Sequence, residues 1–415
     1  MSAVTSLTRM WLTRSVRPFR FRNEYDQVLP YEECGQLGLY VHIPFCRRLC
    51  GFCPYCKELY DPERCRRYLD ALIKEIHLVG GRGKRRVTSL YFGGGTPALA
   101  VGRLGEVIGA LEEHFLITQG IGVELHPDNV TVPTLRTLRD AGVTKLSIGV
   151  QSFQGKYQTI LGRAPVDRRA MAEALAQVPF ETVSMDFIFA LPGQTFEDLR
   201  ADIDAAFRSG ANHIAIYPFI NFSFAPNTLP VMGRKEKRLL LDRITRYCLD
   251  KGYTRGSIWT FSSQKEAAYS SMTRDNFLGF GCSAATLLRD QFKINTFDLE
   301  EYCGRISGGR LPTSLTLRFT LRQRMVYYLF WTAYSTRVDE RDFRRFFDVP
   351  LKKAYGLELA LAKTLGLITE QDGVYEMTLK GAFYYHYYEN YYTLAYIDKM
   401  WGLLREEAFP SGMEL

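Results

Sequence analysis

Leu37 to Cys56 read LGLYVHIPFCRRLCGFCPYC: an apolar, β-type run stops at Pro44 and opens at once into four cysteines within eleven residues. In parallel α/β proteins, reactive side chains collect in the loops that follow strand C-termini. The stretch therefore predicts a fold and a site together. Five further runs repeat the theme: SLYFGG (89–94), IGVEL (121–125), KLSIGV (145–150), VSMDFIF (183–189) and HIAIYPF (213–219), with amphipathic helical patterns between them. Near-continuous apolar strands alternating with helices imply a parallel sheet covered on its outer side, either a barrel or an open doubly wound sheet. Informative segments sit just after the runs: the cysteine loop, GGGTP, HPD, QSF and ALPGQT, in that order.

The chain of 415 residues exceeds what one hydrophobic core supports, which predicts one large domain with smaller ones attached. Hydrophobic residues at 46% and charged residues at 24% are ordinary for a globular enzyme, and no apolar run reaches the roughly 20 residues of a membrane helix. Nine cysteines is an odd count, and no apolar signal core precedes them, so a reducing, cytoplasmic setting is expected rather than a disulfide framework. Cys34, Cys65, Cys248, Cys282 and Cys303 are scattered and read as small buried thiols. The net charge of +8 is uneven, since Arg9, Arg14, Arg17, Arg20 and Arg22 all precede the first acid, Glu24. Residues 1–36 read as a basic extension, solvated or loosely docked.

After residue 225 the alternation is lost. A basic amphipathic helix is expected over about 235–250, followed by irregular chain through GFGCSA (279–284), so 226–316 reads as an accessory region. Residues 317–415 read as a C-terminal helical domain resembling a winged helix, with a hairpin turn at Asp372-Gly373. No recognition helix rich in Arg and Lys is evident, and no nucleic-acid partner is expected. The segment FYYHYYENYYTLAYIDKMW (383–401) is dense in aromatics and should close over another part of the molecule.

Cys46, Cys50 and Cys53 are spaced C-x3-C-x2-C, and Cys56 adds a further x2 step. Clustered thiolates suit zinc or an iron-sulfur cluster. Zinc sites pair two knuckles across a long connection, and ferredoxin runs repeat C-x2-C, so the x3 step matches neither pattern.

YVHIPFCRRLCGFC resembles the start of the oxygen-independent coproporphyrinogen III oxidase family of radical S-adenosylmethionine (SAM) enzymes, and the resemblance continues through YFGGGTP, LSIGVQSF, LGRAP, DFIFALPGQT and GFGCSA. It implies a partial (β/α)6 radical SAM barrel over 37–225. It also implies a [4Fe-4S] cluster on Cys46, Cys50 and Cys53, the open iron of which takes the amino and carboxylate groups of SAM. Electron transfer then releases a 5′-deoxyadenosyl radical that abstracts hydrogen from the substrate. A fourth thiolate on that iron would displace SAM, so Cys56 is set apart from the ligands as the candidate catalytic residue. Family oxidases carry an extra cysteine two positions after the third ligand, whereas here Pro54 and Tyr55 intervene before Cys56.

For the cofactor, the resemblance implies backbone contacts from Gly94, Gly95 and Thr96 to the methionine end of SAM. Glu124 and Asp186 would meet its ribose or amino group, and Arg163 its carboxylate. Gln151 matches a position near a second SAM, so one or two molecules are implied, and Tyr40 and Phe52 would flank cluster and adenine. Read without the family, Glu124 and Asp186 are buried acids that need partners, and an internal salt bridge with Arg163 is the alternative. The implied substrate is a small molecule of tetrapyrrole type, with flavodoxin or ferredoxin as electron donor. Three alternatives stay open: a related methyltransferase or cyclopropane-forming enzyme using a second SAM, a haem chaperone, and a structural cluster or zinc protein with no radical chemistry.

Overall fold

The structure is a computed structural model that describes residues 3–24, 28–225, 229–263 and 275–415, the side chains of residues 3 and 4 excepted. Six parallel strands form its centre: β1 (Gly38–Ile43), β2 (Leu90–Gly94), β3 (Ile121–Leu125), β4 (Lys145–Gln151), β5 (Thr182–Phe189) and β6 (His213–Pro218). They lie side by side in chain order, each parallel to the next. Sequential order without reversal is the winding of a barrel and rules out the doubly wound sheet, which needs a switch point.

Local chemistry fixes where the covering helices begin. Asp61 caps Pro62–Val79 by accepting from the Arg64 amide, Thr131 caps Val132–Asp140, and Thr195 with Asp198 forms a capping box on Phe196–Arg208. Apolar stripes such as Tyr68, Leu69, Leu72 and Ile76 then bury against the sheet.

The barrel is open, and its edges are extended rather than joined. Beside β1, Phe277–Phe280 runs parallel, and Ala285–Leu287, Gln291–Asn295 and Thr313–Arg318 continue antiparallel. Arg20–Arg22 and Gly412–Glu414 complete that side; Thr260–Ser262 and Thr254–Arg255 extend the other edge beyond β6. The stretch expected to be irregular thus carries sheet. Its strands are short, and their partners lie far away in the chain, which removes the local signal. The basic N-terminal arm is not loosely docked either. Within the helix Ala3–Thr13, Thr5, Arg9 and Thr13 are buried, and Phe21 joins the main core.

Leu321–Tyr334, Glu340–Phe347 and Leu351–Thr364 pack on a three-stranded sheet of Arg337–Asp339, Ile368–Gln371 and Val374–Met377, around a core of Met325, Tyr328, Phe343, Leu351 and Tyr375. This is the order of a winged helix. Asp372 and Gly373, with φ of 52° and 79°, form the expected tight hairpin turn. The helix Leu379–Tyr392 then passes through a π turn at Thr393–Ile397 into Asp398–Glu406. The last helix carries Trp401 back to the cysteine loop, with ring centroids 5.9 Å from Tyr55 and 6.0 Å from Phe297. Among the described residues, no helix is long and apolar enough to cross a membrane.

Candidate active site

The cysteine loop leaves β1 at the C-terminal edge of the sheet and is laced to the glycine segment after β2. The Gly95 amide donates to the Ile43 carbonyl and the Thr96 amide to the Phe45 carbonyl, both at 2.8 Å. The Thr96 hydroxyl lies 3.8 Å from the Cys46 sulfur. Lys57 turns back to donate to the Cys50 carbonyl at 2.7 Å and to that of Cys53. All nine cysteines are free, and Cys46, Cys50 and Cys53 are partly exposed. Burial pushes the Cys46 thiol up to about 11, against the Thr96 hydrogen bond, which lowers it. A soft cation would reverse that preference by favouring the thiolate.

The glycine wall is bare because side chains have no room. A Cβ on Gly95 would come within 2.7 Å of the Pro44 and Phe45 carbonyls. One on Gly93 would lie 3.0 Å from the Tyr40 ring and 3.2 Å from the Glu124 carboxyl carbon. Three free, partly exposed thiols on one loop fit a [4Fe-4S] cluster by donor chemistry, and the glycines let that loop pack tightly against β2.

The two acids project from β3 and β5. Glu124 accepts from the Tyr91 hydroxyl at 3.0 Å and from the Gly94 amide at 3.2 Å. Asp186 accepts from the Ser147 hydroxyl at 2.8 Å and from Ser184 at 3.2 Å. Burial raises both, Glu124 to about 7 with the Asp186 charge as the second cause, and Asp186 to about 6. Arg163 is not their partner. Its guanidinium donates to the Gly149 carbonyl at 2.7 Å, and among the described residues no ion pair joins it to either acid. The salt-bridge reading fails because other donors serve the acids: Ser147 and Ser184, paired across β4 and β5, both turn to Asp186, while the Tyr91 hydroxyl and the Gly94 amide serve Glu124. Arg163 has lost part of its basicity to burial, and the Cys50, Cys53 and Cys46 thiols are among the groups that act on it electrostatically.

Tyr40 stacks on Tyr91, with centroids 6.4 Å apart, and bonds His42 Nδ1 at 3.0 Å. Phe52 packs on Tyr157, Leu161, Ile188, Leu191 and Phe219, beyond β4 and β5. Gln151 sits at φ 69°, with Nε2 3.0 Å from where a Gly149 Cβ would stand. The neighbouring QSF and ALPGQT segments are partly structural. Ser152 donates to buried Asp202 at 2.6 Å, and Gln194 donates to the Ile188 carbonyl at 3.0 Å.

Cys56 is buried, with its sulfur 4.0 Å from that of Cys282 and 3.3 Å from the Phe297 carbonyl. The Cys282 contact first, and then His42, hold Cys56 well below the ordinary thiol range, while burial holds Cys282 well above it. Cys282, read from sequence as a small buried thiol, is buried as expected and lies in the site's surroundings. Tyr91, Ser147, Ser184 and Arg405, which donates to the Pro54 carbonyl of the cysteine loop, were also missed. Strand alternation could have flagged the two serines, as they share a face with Asp186 or its opposite number.

The radical SAM superfamily profile matches residues 40–206. The oxygen-independent coproporphyrinogen III oxidase of Pseudomonas aeruginosa is 28% identical over 309 residues, 66% of each chain. Heme chaperone HemW of Bacillus subtilis is 31% identical over 188 residues, 44% of this chain and 50% of HemW. The match thus spans about two thirds of the oxidase and half of the chaperone. In architecture, coproporphyrinogen III oxidase (HemN) of Escherichia coli superposes with a TM-score of 0.74 at 23% identity, covering 92% of this chain and 96% of that one. The profile marks residues 40–206 as a radical SAM domain, and the fold agrees with it. Within that superfamily, the chain is similar to the coproporphyrinogen III oxidases and to HemW, at 28% and 31% identity.

Proposed function

We propose that this chain is a radical SAM oxidoreductase of the coproporphyrinogen oxidase type, acting on a tetrapyrrole. The observation that carries the reading is the three free thiols of Cys46, Cys50 and Cys53 on one loop, laced to the side-chain-free wall Gly93–Gly95. In this reading residues 37–225 are the radical SAM core, 226–316 the accessory region and 317–415 the C-terminal domain.

The bound cluster and SAM would supply the hard chemistry, reductive cleavage of the sulfonium to a hydrogen-abstracting 5′-deoxyadenosyl radical. The protein does the rest. Cys46, Cys50 and Cys53 hold the cluster, and Thr96 restrains Cys46. The backbone of Gly94 and Gly95 lets the methionine end of SAM approach. Glu124 and Asp186, already ringed by hydroxyls and an amide, accept from its amino group or ribose, and Arg163 meets its carboxylate. Gln151 stands where a second SAM would be felt, and Tyr40 and Phe52 wall the site.

A haem chaperone is the second reading, favoured by the 31% identity to HemW over 188 residues. Anaerobic reconstitution with iron and sulfide, reduction in the presence of SAM, and mass spectrometry of the products test the proposal. 5′-Deoxyadenosine, with carbon dioxide from coproporphyrinogen III, supports the oxidase. Tight haem binding without decarboxylation supports the chaperone, and S-adenosylhomocysteine supports methyl transfer. Absence of any adenosyl product under reduction overturns the radical reading.

A further inference from the structure

Three buried ligand groups meet at the cysteine loop: His42 near the end of β1, Cys56 at the end of the loop, and Cys282 from a distant turn after Phe277–Phe280. One ligand atom from each lies within 4.8 Å of the others. We propose that His42, Cys56 and Cys282 form a second metal site, separate from the cluster thiols, for one divalent ion of the zinc class.

The geometry matches such an ion. Tetrahedral thiolates at about 2.3 Å from zinc stand about 3.8 Å apart, and the two sulfurs are 4.0 Å apart. They are too far apart for a disulfide, which needs about 2.05 Å. His42 has the second contact typical of a metal-bound imidazole, because its Nδ1 is held by the Tyr40 hydroxyl at 3.0 Å. Its Nε2 lies 3.0 Å from the Cys56 carbonyl and exchanges that contact for the ion.

The surroundings fit as well. Tyr68 donates to the His42 carbonyl at 2.7 Å and accepts from the Cys282 amide at 3.1 Å, tying two of the ligand-bearing segments together. A cavity of about 380 Å³, lined by Cys53, Cys56, Phe297 and Arg405, opens beside Cys56. Of the three groups only Cys56 lines it, so an ion would enter from that side. The fourth cysteine of the loop then serves as a ligand of this ion and not as a catalytic group.

The test is independent of SAM chemistry. The full chain with Cys46, Cys50 and Cys53 all replaced by Ser is titrated anaerobically with Co²⁺. One equivalent should bind with thiolate charge-transfer absorption and tetrahedral d–d bands, and Cys282→Ala in that background should weaken binding at least tenfold. Absence of the charge-transfer band, or binding unchanged by Cys282→Ala in a chain with an unchanged circular dichroism spectrum, overturns the proposal. A measurement without any variant is X-ray absorption at the zinc edge of the unsubstituted chain carrying its cluster. Two sulfurs at about 2.3 Å and nitrogen at about 2.0 Å are expected; a shell of sulfur alone, or of oxygen and nitrogen alone, overturns it.

Discussion

The Gly94 amide donates to the Glu124 carboxylate at 3.2 Å, joining the wall after β2 to the acid of β3. A buried acid held at about 7, chiefly by burial, keeps a proton that the unfolded chain releases near 4.3. Its stabilising effect is complete below that lower value and is lost as pH rises through about 7. Glu124→Gln removes this titration. The melting temperature of the SAM-free protein should fall less steeply between about pH 5 and about pH 7.5 in the variant, because the proton linkage has gone. SAM affinity should drop about tenfold or more, the worth of a hydrogen bond to a charged group. A pH profile parallel to wild type together with unchanged affinity would refute both roles.

Serine at Cys46, Cys50 or Cys53 should each abolish reconstituted cluster iron and SAM cleavage, since a hydroxyl is a poor substitute for a soft thiolate. Cys56→Ser should retain the iron and the visible absorption of the cluster. Iron analysis after anaerobic desalting decides this, and a loss in Cys56→Ser equal to that in Cys53→Ser would return Cys56 to the cluster.

Six strands and the cysteine loop were legible because each is a local pattern: an apolar run, then a breaker, then reactive residues. The partners of the acids were not. Whether Asp186 meets Ser147 or an arginine is set by the register of β4 against β5, which no single strand encodes. Cys282 was illegible for the same reason, since 226 residues separate it from Cys56. The short strands between 277 and 318 gain their identity from neighbours across the sheet, and so read as irregular chain.

Gly95→Ala isolates the contact between the glycine wall and the cysteine loop. Its methyl would sit 2.7 Å from two carbonyls, of Pro44 and Phe45, that cannot swing aside as a side chain end could. Such overpacking costs about 1–3 kcal/mol and should displace the loop. Lower cluster occupancy with a lowered melting temperature is expected. Full iron content with wild-type SAM cleavage would show that the wall is not built to this tolerance.

Arg405 reaches the cysteine loop from the last helix, donating to the Pro54 carbonyl, with its guanidinium 4.1 Å from the Phe224 ring centroid and 4.8 Å from that of Phe297. It is partly desolvated, and the desolvation lowers its pKa; the Cys56 and Cys53 thiols oppose that. The cation therefore both pins the backbone between two cysteines and places positive charge beside them. Arg405→Ala removes stacking, hydrogen bond and charge, whereas Arg405→Lys keeps the charge but not the planar fork. If pinning matters most, both variants should lose the cluster faster in air than wild type, by similar factors. If charge matters most, only Arg405→Ala should shift the cluster's reduction potential downward, because a nearby cation favours the more negative, reduced state. Decay of the visible absorption and a redox titration followed by electron paramagnetic resonance separate the two, and wild-type behaviour of both variants would mean that the C-terminal helix is only packed against the loop.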